Sequence, residues 1–229
     1  MSRPAARRPG DRPARIPETL RKLRRLYPDA GCSLDHAAPF ELLVATILSA
    51  QCTDARVNMV TPELFRAFPD PESMAAAPEG ALEEIIRSTG FFNAKARALR
   101  GAAGRIVALH GGAVPGTMEA LVDLPGVGRK TANVVLGNAF GAPEGVVVDT
   151  HVGRLARRLG WSKEKDPVKV EADLNGLVPR DRWVWVSHAL ILHGRAVCGA
   201  RKPDCASCAL AALCPRIGVS GTGVARRKR

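Results

Sequence analysis

The stretch that decides the fold is Leu124-Pro-Gly-Val-Gly-Arg-Lys-Thr-Ala132. One helical pattern ends near Asp123 and another begins at Arg129, so Leu-Pro-Gly-Val-Gly forms the turn between two helices. The two glycines, Gly126 and Gly128, allow a sharp turn and a close approach of the backbone to another surface. The N–H groups of this turn lie at a helix N-terminus, where an anion is favoured. The pattern predicts a helical hairpin that grips a nucleic-acid phosphate without reading sequence, with an ordinary helix–helix turn as the alternative.

Helical periodicity continues on both sides of the hairpin. The predicted helices are Glu18–Tyr27, Phe40–Ala50, Glu79–Ser88, Ala94–His110, Thr117–Val122, Arg129–Phe140, Thr150–Leu159, Val168–Leu177 and Trp183–Leu192. Thr53 is expected to cap the helix that follows it, and Thr61-Pro62 and Asp70-Pro71 resemble caps followed by first-turn prolines. Only Val146–Val148 resembles a strand, and it is too short to build a sheet. The sequence therefore predicts an all-α fold.

The positive charge is concentrated at the two ends of the chain. Residues 1–31 hold nine Arg and Lys against three acidic residues, and residues 215–229 hold five basic residues and no acidic one, so these ends carry +11 of the formal charge of +12. Basic ends favour a polyanionic partner, although disordered soluble arms would have the same composition. We expect residues 1–16 and 217–229 to be disordered. An organelle transit peptide is the alternative for the first arm, but its prolines suit an amphipathic helix poorly.

Four of the six cysteines lie close together near the C-terminus. They are Cys198, Cys205, Cys208 and Cys214, in the spacing C-x6-C-x2-C-x5-C. No secretion signal and no apolar stretch of membrane-spanning length is visible, so a soluble protein and a metal site are favoured over disulfides. Four thiolates can hold either zinc or a [4Fe–4S] cluster. Because zinc ribbons usually have two close cysteine pairs and this segment has one, the spacing favours iron–sulfur and leaves zinc open.

Three further motifs accompany the hairpin. They are Leu48-Ser-Ala-Gln51 with Thr53-Asp54, Val148-Asp-Thr-His-Val152, and Leu192-His-Gly-Arg-Ala-Val-Cys198. Together with the hairpin, they resemble the endonuclease III family of DNA glycosylases, and the resemblance extends from about Glu18 to Cys214. It implies a helix–hairpin–helix fold of two helical lobes and a [4Fe–4S] cluster on the four cysteines. We expect residues 32–142 to form a central bundle that carries the hairpin, and residues 17–31 with 143–216 to form the cluster lobe.

Lys130 and Asp149 are the candidate catalytic residues. Lys130 lies in the first turn of a helix, where we expect partial burial and the helix dipole to favour a neutral, nucleophilic amine. By position alone it would be a surface lysine that holds a phosphate. Asp149 precedes the helix Thr150–Leu159, where it can be the N-cap and also a carboxylate that assists the lysine and stabilises positive charge on the sugar. The resemblance assigns both residues to catalysis.

The family reaction is the removal of a damaged base followed by strand cleavage. The damaged nucleotide leaves the base stack, Lys130 displaces the base and forms an imine with the sugar, and β-elimination breaks the strand on the 3′ side of the abasic site. The expected substrates are oxidised pyrimidines and abasic sites in double-stranded DNA. We expect a monomer with no membrane association, in the cytoplasm of a bacterium and near the nucleoid.

Several other residues are expected to contact DNA. The resemblance assigns Gln51 to the hole left by the flipped base, and a loop containing Phe91 to a second wedge, although Phe91 and Phe92 could equally be core residues. The remaining predicted contacts are Gly126, Gly128 and Arg129 in the hairpin, His151 and Arg154 after Asp149, and Arg201 and Lys202 in the cysteine loop. Solvent exposure is the alternative for His151 and Arg154.

Two rival functions are considered. An adenine glycosylase of the same superfamily typically lacks the lysine and has an extra C-terminal domain, whereas this chain has Lys130 and ends soon after Cys214. A non-enzymatic helix–hairpin–helix module with a structural metal would not need Lys130 and Asp149 together. The lysines that we expect to take no part in the covalent step are Lys22, Lys95, Lys163 and Lys202.

Overall fold

The computed structural model describes residues 14–219, and within that range the secondary structure is entirely helical. The helices are α1 Ile16–Leu26, α2 Pro39–Leu48, α3 Asp54–Ala67, α4 Pro71–Ala75, α5 Ala81–Ile86, α6 Phe92–His110, α7 Met118–Val122, α8 Arg129–Ala139, α9 Thr150–Leu159, α10 Pro167–Leu177 and α11 Trp183–Ala196. Two 3-10 turns lie at Arg87–Thr89 and Arg180–Arg182. The predicted all-α class is confirmed, and none of the helices in the described range is long and apolar enough to cross a membrane.

The chain divides into two compact units. The first unit is Cys32–Glu144, and the second combines the described residues of Met1–Gly31 and Gly145–Arg229. Helix α2 is the centre of the first unit, because Phe40 and every residue from Leu42 to Leu48 are buried. Helices α3, α6 and α8 pack around it. A helix that is apolar on all sides must be enclosed in this way to keep its side chains from water.

The second unit is built from α1, α9, α10 and α11, and residues at both limits of the described range pack in it. The indole N–H of Trp161 donates to the backbone oxygen of Ala14 at 3.0 Å, and Ala14 itself is 3% exposed. The N–H of Ile217 donates to the oxygen of Arg158 at 3.2 Å. Residues 14–16 and 217–219, which the sequence analysis included in the two arms, therefore have contacts in the second unit. The rest of the predicted arms, residues 1–13 and 220–229, lies outside the described residues.

Most helix starts follow the local signals in the sequence. The Thr53 hydroxyl accepts from the N–H of Arg56 at 3.3 Å, and the Asp70 carboxylate accepts from the N–H of Ser73 at 2.8 Å, so both predicted caps are confirmed. The predicted start at Thr61-Pro62 is wrong, because Pro62 lies inside α3. Thr61 is 2% exposed on the same face as Val57 and Leu64, so packing keeps the helix continuous while the Pro62 ring faces solvent.

Candidate active site

The turn at the hairpin depends on Gly126. Its φ is +77°, in the left-handed region, and a Cβ placed there would lie 2.7 Å from the Cβ of Ala98 on α6. Leu124 and Val127 are buried on either side of it and anchor the turn in the core of the first unit. Glycine is therefore required at this position both by the backbone conformation and by the close approach of α6.

Neither the backbone conformation nor a close neighbour requires glycine at position 128. Gly128 is the N-cap of α8 with an ordinary φ of −94°, no side chain caps the helix, and a Cβ there would meet nothing within 4 Å. Gly128 and Arg129 are exposed, and the first-turn N–H groups of a helix have no acceptor within the helix itself. The open space above Gly128 leaves this helix start accessible to an external group, and the chemistry of N–H donors selects an anion.

Lys130 is exposed on the first turn of α8. The predicted partial burial is therefore wrong. The helix is anchored through the buried side chains of Ala132, Val135 and Leu136, which lie on another face, and this leaves Lys130 directed away from the core. The Lys130 amine at the start of α8 is therefore accessible to an external group without rearrangement of the fold.

Asp149 is the N-cap of α9, as predicted. Its Oδ1 accepts hydrogen bonds from the N–H groups of His151 and Val152, both at 2.8 Å. These two bonds fix the carboxylate at the helix start, and both end on the same oxygen. Lys130 and Asp149 belong to different units: Lys130 lies in the first turn of α8, and Asp149 caps the start of α9.

The segment before Asp149 has no regular secondary structure in the described part of the chain. The N–H of Val146 donates to Oδ1 of Asn175 on α10 at 2.9 Å, and the N–H of Val147 donates to Oγ of Ser187 on α11 at 2.9 Å. Side-chain acceptors thus take the place of the backbone acceptors of a neighbouring strand, so the strand-like pattern of Val146–Val148 does not produce a sheet.

The two predicted wedge residues share an unusual backbone conformation. Gln51 has a φ of +53° and Phe91 a φ of +50°, and both side chains are exposed, that of Phe91 at 65%. The alternative of core packing is wrong for Phe91. Phe92 is the core residue, because it is partly buried against the apolar cluster of the first unit. Adjacent phenylalanines therefore differ completely in environment.

The structure adds Lys95, which the sequence analysis treats as an ordinary lysine. Its side chain is buried, at 5% exposure, and its Nζ donates to the backbone oxygens of Leu48 and Thr89, both at 2.8 Å. Burial lowers the pKa of the Lys95 amine. A signal was present, because Lys95 falls on the same face of α6 as the buried residues Leu99 and Ile106.

The four clustered cysteines line one cavity in the second unit. It encloses about 440 Å³ of free space, including the part open to solvent, and Leu155, Leu159 and Leu210 contribute to its apolar wall. Burial raises the pKa of the Cys208 and Cys214 thiols. Within the described range, no three His, Cys, Asp or Glu side chains form a group suited to a single metal ion.

Arg158 lies beside this cavity and joins it to the loop after Cys198. The guanidinium is buried, and it donates to the sulfur of Cys198 at 3.1 Å and to the oxygens of Gly199 and Ala200, both at 2.8 Å. A donor aimed at a sulfur stabilises a thiolate ligand, so the surroundings of Cys198 fit a metal-bound cysteine. The donor set and the shared cavity fit a group that binds four thiolates.

The predicted DNA contacts of the second unit differ in accessibility. Arg201 and Lys202 are exposed on the loop that Arg158 holds. His151 is half-buried, and its Nδ1 lies 3.0 Å from a guanidinium nitrogen of Arg154. Arg154 also donates to the oxygens of Gly194 and Cys198, both at 3.0 Å. Arg154 therefore ties α9 to the cysteine segment, contrary to the expectation that it faces solvent or DNA.

Comparison with known proteins agrees with these features. Residues 44–180 match the family model described as HhH-GPD superfamily base excision DNA repair protein. The chain is 56% identical to Endonuclease III of Synechocystis sp. over 88% of this chain and 92% of the relative. It is 42% identical to Endonuclease III of Escherichia coli over 86% of this chain and 93% of that protein.

Solved structures extend the comparison to the fold. A trapped Endonuclease III–DNA covalent intermediate superposes with a TM-score of 0.82 at 44% identity, covering 87% of this chain and 93% of the other. The prediction of a base excision repair DNA glycosylase with DNA as its partner is confirmed at this level. The chain belongs to the HhH-GPD superfamily of base excision DNA repair proteins, and within it to the endonuclease III family.

Proposed function

We propose that this chain is a bifunctional DNA glycosylase and abasic-site lyase that excises oxidised pyrimidines from duplex DNA. The observation that carries the proposal is the exposed amine of Lys130 on the first turn of α8, next to the uncapped helix start at Gly128. The similarity to an Endonuclease III whose complex with DNA was trapped as a covalent intermediate supports a covalent step in this chain as well.

The covalent step begins with the amine of Lys130. Nζ attacks the sugar C1′, the bond between C1′ and the damaged base breaks, and the base leaves with the bonding electrons and takes up a proton. After the attack Nζ gives up one proton. The C1′–O4′ bond of the sugar then breaks, O4′ takes up a proton, and a protonated imine joins Nζ and C1′. The imine acidifies the C2′ proton, and its removal expels the 3′ phosphate oxygen from C3′. The strand is thereby cut on the 3′ side.

Asp149 supplies the carboxylate for this step. The N–H groups of His151 and Val152 hold Oδ1, so the orientation of the carboxylate is set before DNA binds. Its other oxygen can accept a proton from the lysine ammonium and stabilise the positive charge that develops on the sugar. A preoriented charge costs little reorganisation when the reaction occurs.

The hairpin and the wedges position the substrate. The backbone N–H groups at Gly128 and Arg129 bind one phosphate, and this fixes the register of the DNA without reading its sequence. Gln51 and Phe91 enter the base stack where the damaged nucleotide leaves it. Both side chains are exposed, and both residues have a backbone φ in the left-handed region. Arg201, Lys202 and His151 add contacts in the second unit. The protein acts as a monomer.

Cys198, Cys205, Cys208 and Cys214 hold a [4Fe–4S] cluster in this proposal. When bound, the cluster cross-links four points of the chain and fixes the loop that presents Arg201 and Lys202 to the phosphates. Iron and acid-labile sulfide in about fourfold molar excess over anaerobically purified protein would support it. One zinc and no iron would contradict it. Cys205→Ser should lose the visible absorption and most of the soluble protein, whereas Cys32→Ser should keep both.

One assay tests the proposed activity. The protein is incubated with duplexes that each carry a single thymine glycol, dihydrothymine, abasic site, uracil, or adenine opposite 8-oxoguanine. We expect strand cleavage at the oxidised pyrimidines and the abasic site, with a β-elimination end. Cleavage confined to adenine opposite 8-oxoguanine would support the adenine glycosylase instead. Binding without product on every duplex would support the non-enzymatic module.

A further inference from the structure

Two exposed loops of the first unit share one strained feature. Gln51 and Phe91 both have φ values near +50°, and the third non-glycine residue with a positive φ among the described residues is Arg216, in the other unit. A non-glycine residue in this region is strained, so the conformation persists only where the surroundings impose it. What holds the two loops therefore also holds the two wedge side chains.

A single buried ammonium connects the starts of both loops. Nζ of Lys95 donates to the oxygen of Leu48, the last residue of α2, and to the oxygen of Thr89, the last residue of the 3-10 turn before Gly90. Leu48 precedes Gln51 by three residues, and Thr89 precedes Phe91 by two. The N–H of Lys95 also donates to the oxygen of Phe91 at 3.0 Å, so the residue contacts the second loop twice.

The stability of the core alone does not account for a lysine at this position. Leu99 and Ile106 on the same face of α6 are apolar, and an apolar residue at 95 would avoid the cost of burying a charge. Helix C-termini carry partial negative charge, so carbonyls at the end of α2 suit a cation. The amine of Lys95 therefore lies where its hydrogen bonds join the two loops.

We propose that Lys95 is a positioning residue that holds the Gln51 and Phe91 loops in a fixed relation, so that both wedges enter the base stack together. The inference rests on the proposed function, because it assigns a role in base extrusion to Gln51 and Phe91. Lys95 touches neither the DNA nor the reacting atoms. It acts through the two loops.

A double-mutant cycle tests this role. Single-turnover base removal from a thymine glycol duplex is measured for the wild type, Lys95→Met, Gln51→Ala/Phe91→Ala, and the triple variant. Misplacement by about 1 Å can cost about 100-fold in rate, so we expect Lys95→Met to slow the wild type by about 10- to 100-fold. In the Gln51→Ala/Phe91→Ala variant, Lys95→Met should slow the reaction by less than about threefold, because the side chains that Lys95 positions are already absent. Lys169→Met, at an exposed position of α10, is the matched control and should react at the wild-type rate.

Equal slowing by Lys95→Met in both backgrounds would overturn the proposal, because it would indicate a general structural defect. If Lys95→Met fails to fold, Lys95→Gln is used in the same cycle, since it keeps N–H donors on a side chain too short to join both carbonyls. Amide hydrogen exchange gives a readout that does not depend on catalysis. If Lys95 positions the loops, amide exchange in residues 49–52 and 89–91 should be faster in the Lys95 variant than in the wild type. If exchange is faster but the wild type is inactive on every lesion, the proposed function is rejected and the positioning role of Lys95 is kept. Unchanged exchange in both loops would reject the positioning role itself.

Discussion

The starts of α8 and α9 differ in whether a side chain accepts hydrogen bonds from the first-turn N–H groups. Helix α8 begins at Gly128 with no side-chain cap, whereas α9 begins at Asp149, whose carboxylate accepts from two first-turn N–H groups. A capped start satisfies its own donors, and an uncapped exposed start leaves them for an external acceptor. The uncapped start of α8 is consistent with the proposed binding of an external phosphate there, whereas the start of α9 already holds the carboxylate of Asp149.

The largest effect is expected from Asp149→Asn. Asparagine keeps an N-cap acceptor but loses the charge, so the free energy of unfolding should change little while base removal slows by about 100- to 1000-fold. Single-turnover kinetics and thermal unfolding measure the two effects separately.

The control for the cap itself is Asp166, which caps α10 through the N–H groups of Val168 and Lys169 at 3.0 Å. Asp149→Ala and Asp166→Ala should each cost about 1 kcal/mol of stability, and only the former should lose activity. Normal base removal by Asp149→Asn would show that this carboxylate is only a cap.

The second prediction compares the two glycines of the hairpin. Gly126→Ala should destabilise the protein by about 2 kcal/mol, because it forces a left-handed alanine against Ala98. Gly128→Ala has space for its methyl group and an ordinary φ, so it should destabilise the protein much less than Gly126→Ala. Its affinity for undamaged duplex should fall about tenfold, because the methyl group obstructs the phosphate. Unfolding curves and filter-binding titrations check both. Equal DNA affinity of Gly128→Ala and the wild type would remove the distinction between the two helix starts.

The smallest effect is expected from the ends of the chain. Residues 1–13 contain four Arg and one Asp, and residues 220–229 contain three Arg and one Lys. Their deletion should flatten the plot of log affinity against log salt, because fewer counterions are released. It should leave the ratio of damaged to undamaged binding unchanged, since the hairpin and wedges remain. A large loss of discrimination would assign recognition of the lesion to the ends.

Much of the fold was predictable because its signals are local. The predicted bounds of α9 agree with the structure, since Asp149 caps its start and Gly160 ends it with a left-handed φ of +71°. The turn at Gly126 was equally readable. Thr61-Pro62 was misleading, because burial of Thr61 against the core of the first unit outweighs a local cap signal.

The candidate site was only partly predictable, because its details depend on distant residues. The role of Lys95 requires the oxygen of Leu48, 47 residues earlier in the chain, and no local pattern contains that contact. The inward bonds of Arg154 likewise depend on Gly194 and Cys198. The exposure of Lys130 depends on which face of α8 packs on the core. The expectation of partial burial was based on the position of Lys130 in the helix and did not include that packing.

Reductive trapping tests the central claim most directly. Borohydride reduces an imine to a stable amine, so it should cross-link the wild type to a duplex that carries an oxidised pyrimidine. Lys130→Ala should abolish the cross-link while DNA affinity falls only slightly, because one charge is a small part of the phosphate contacts. Lys163→Ala, at an exposed position of the second unit, should cross-link like the wild type. Trapping of Lys130→Ala at the wild-type rate would show that another amine is the nucleophile and would contradict the account.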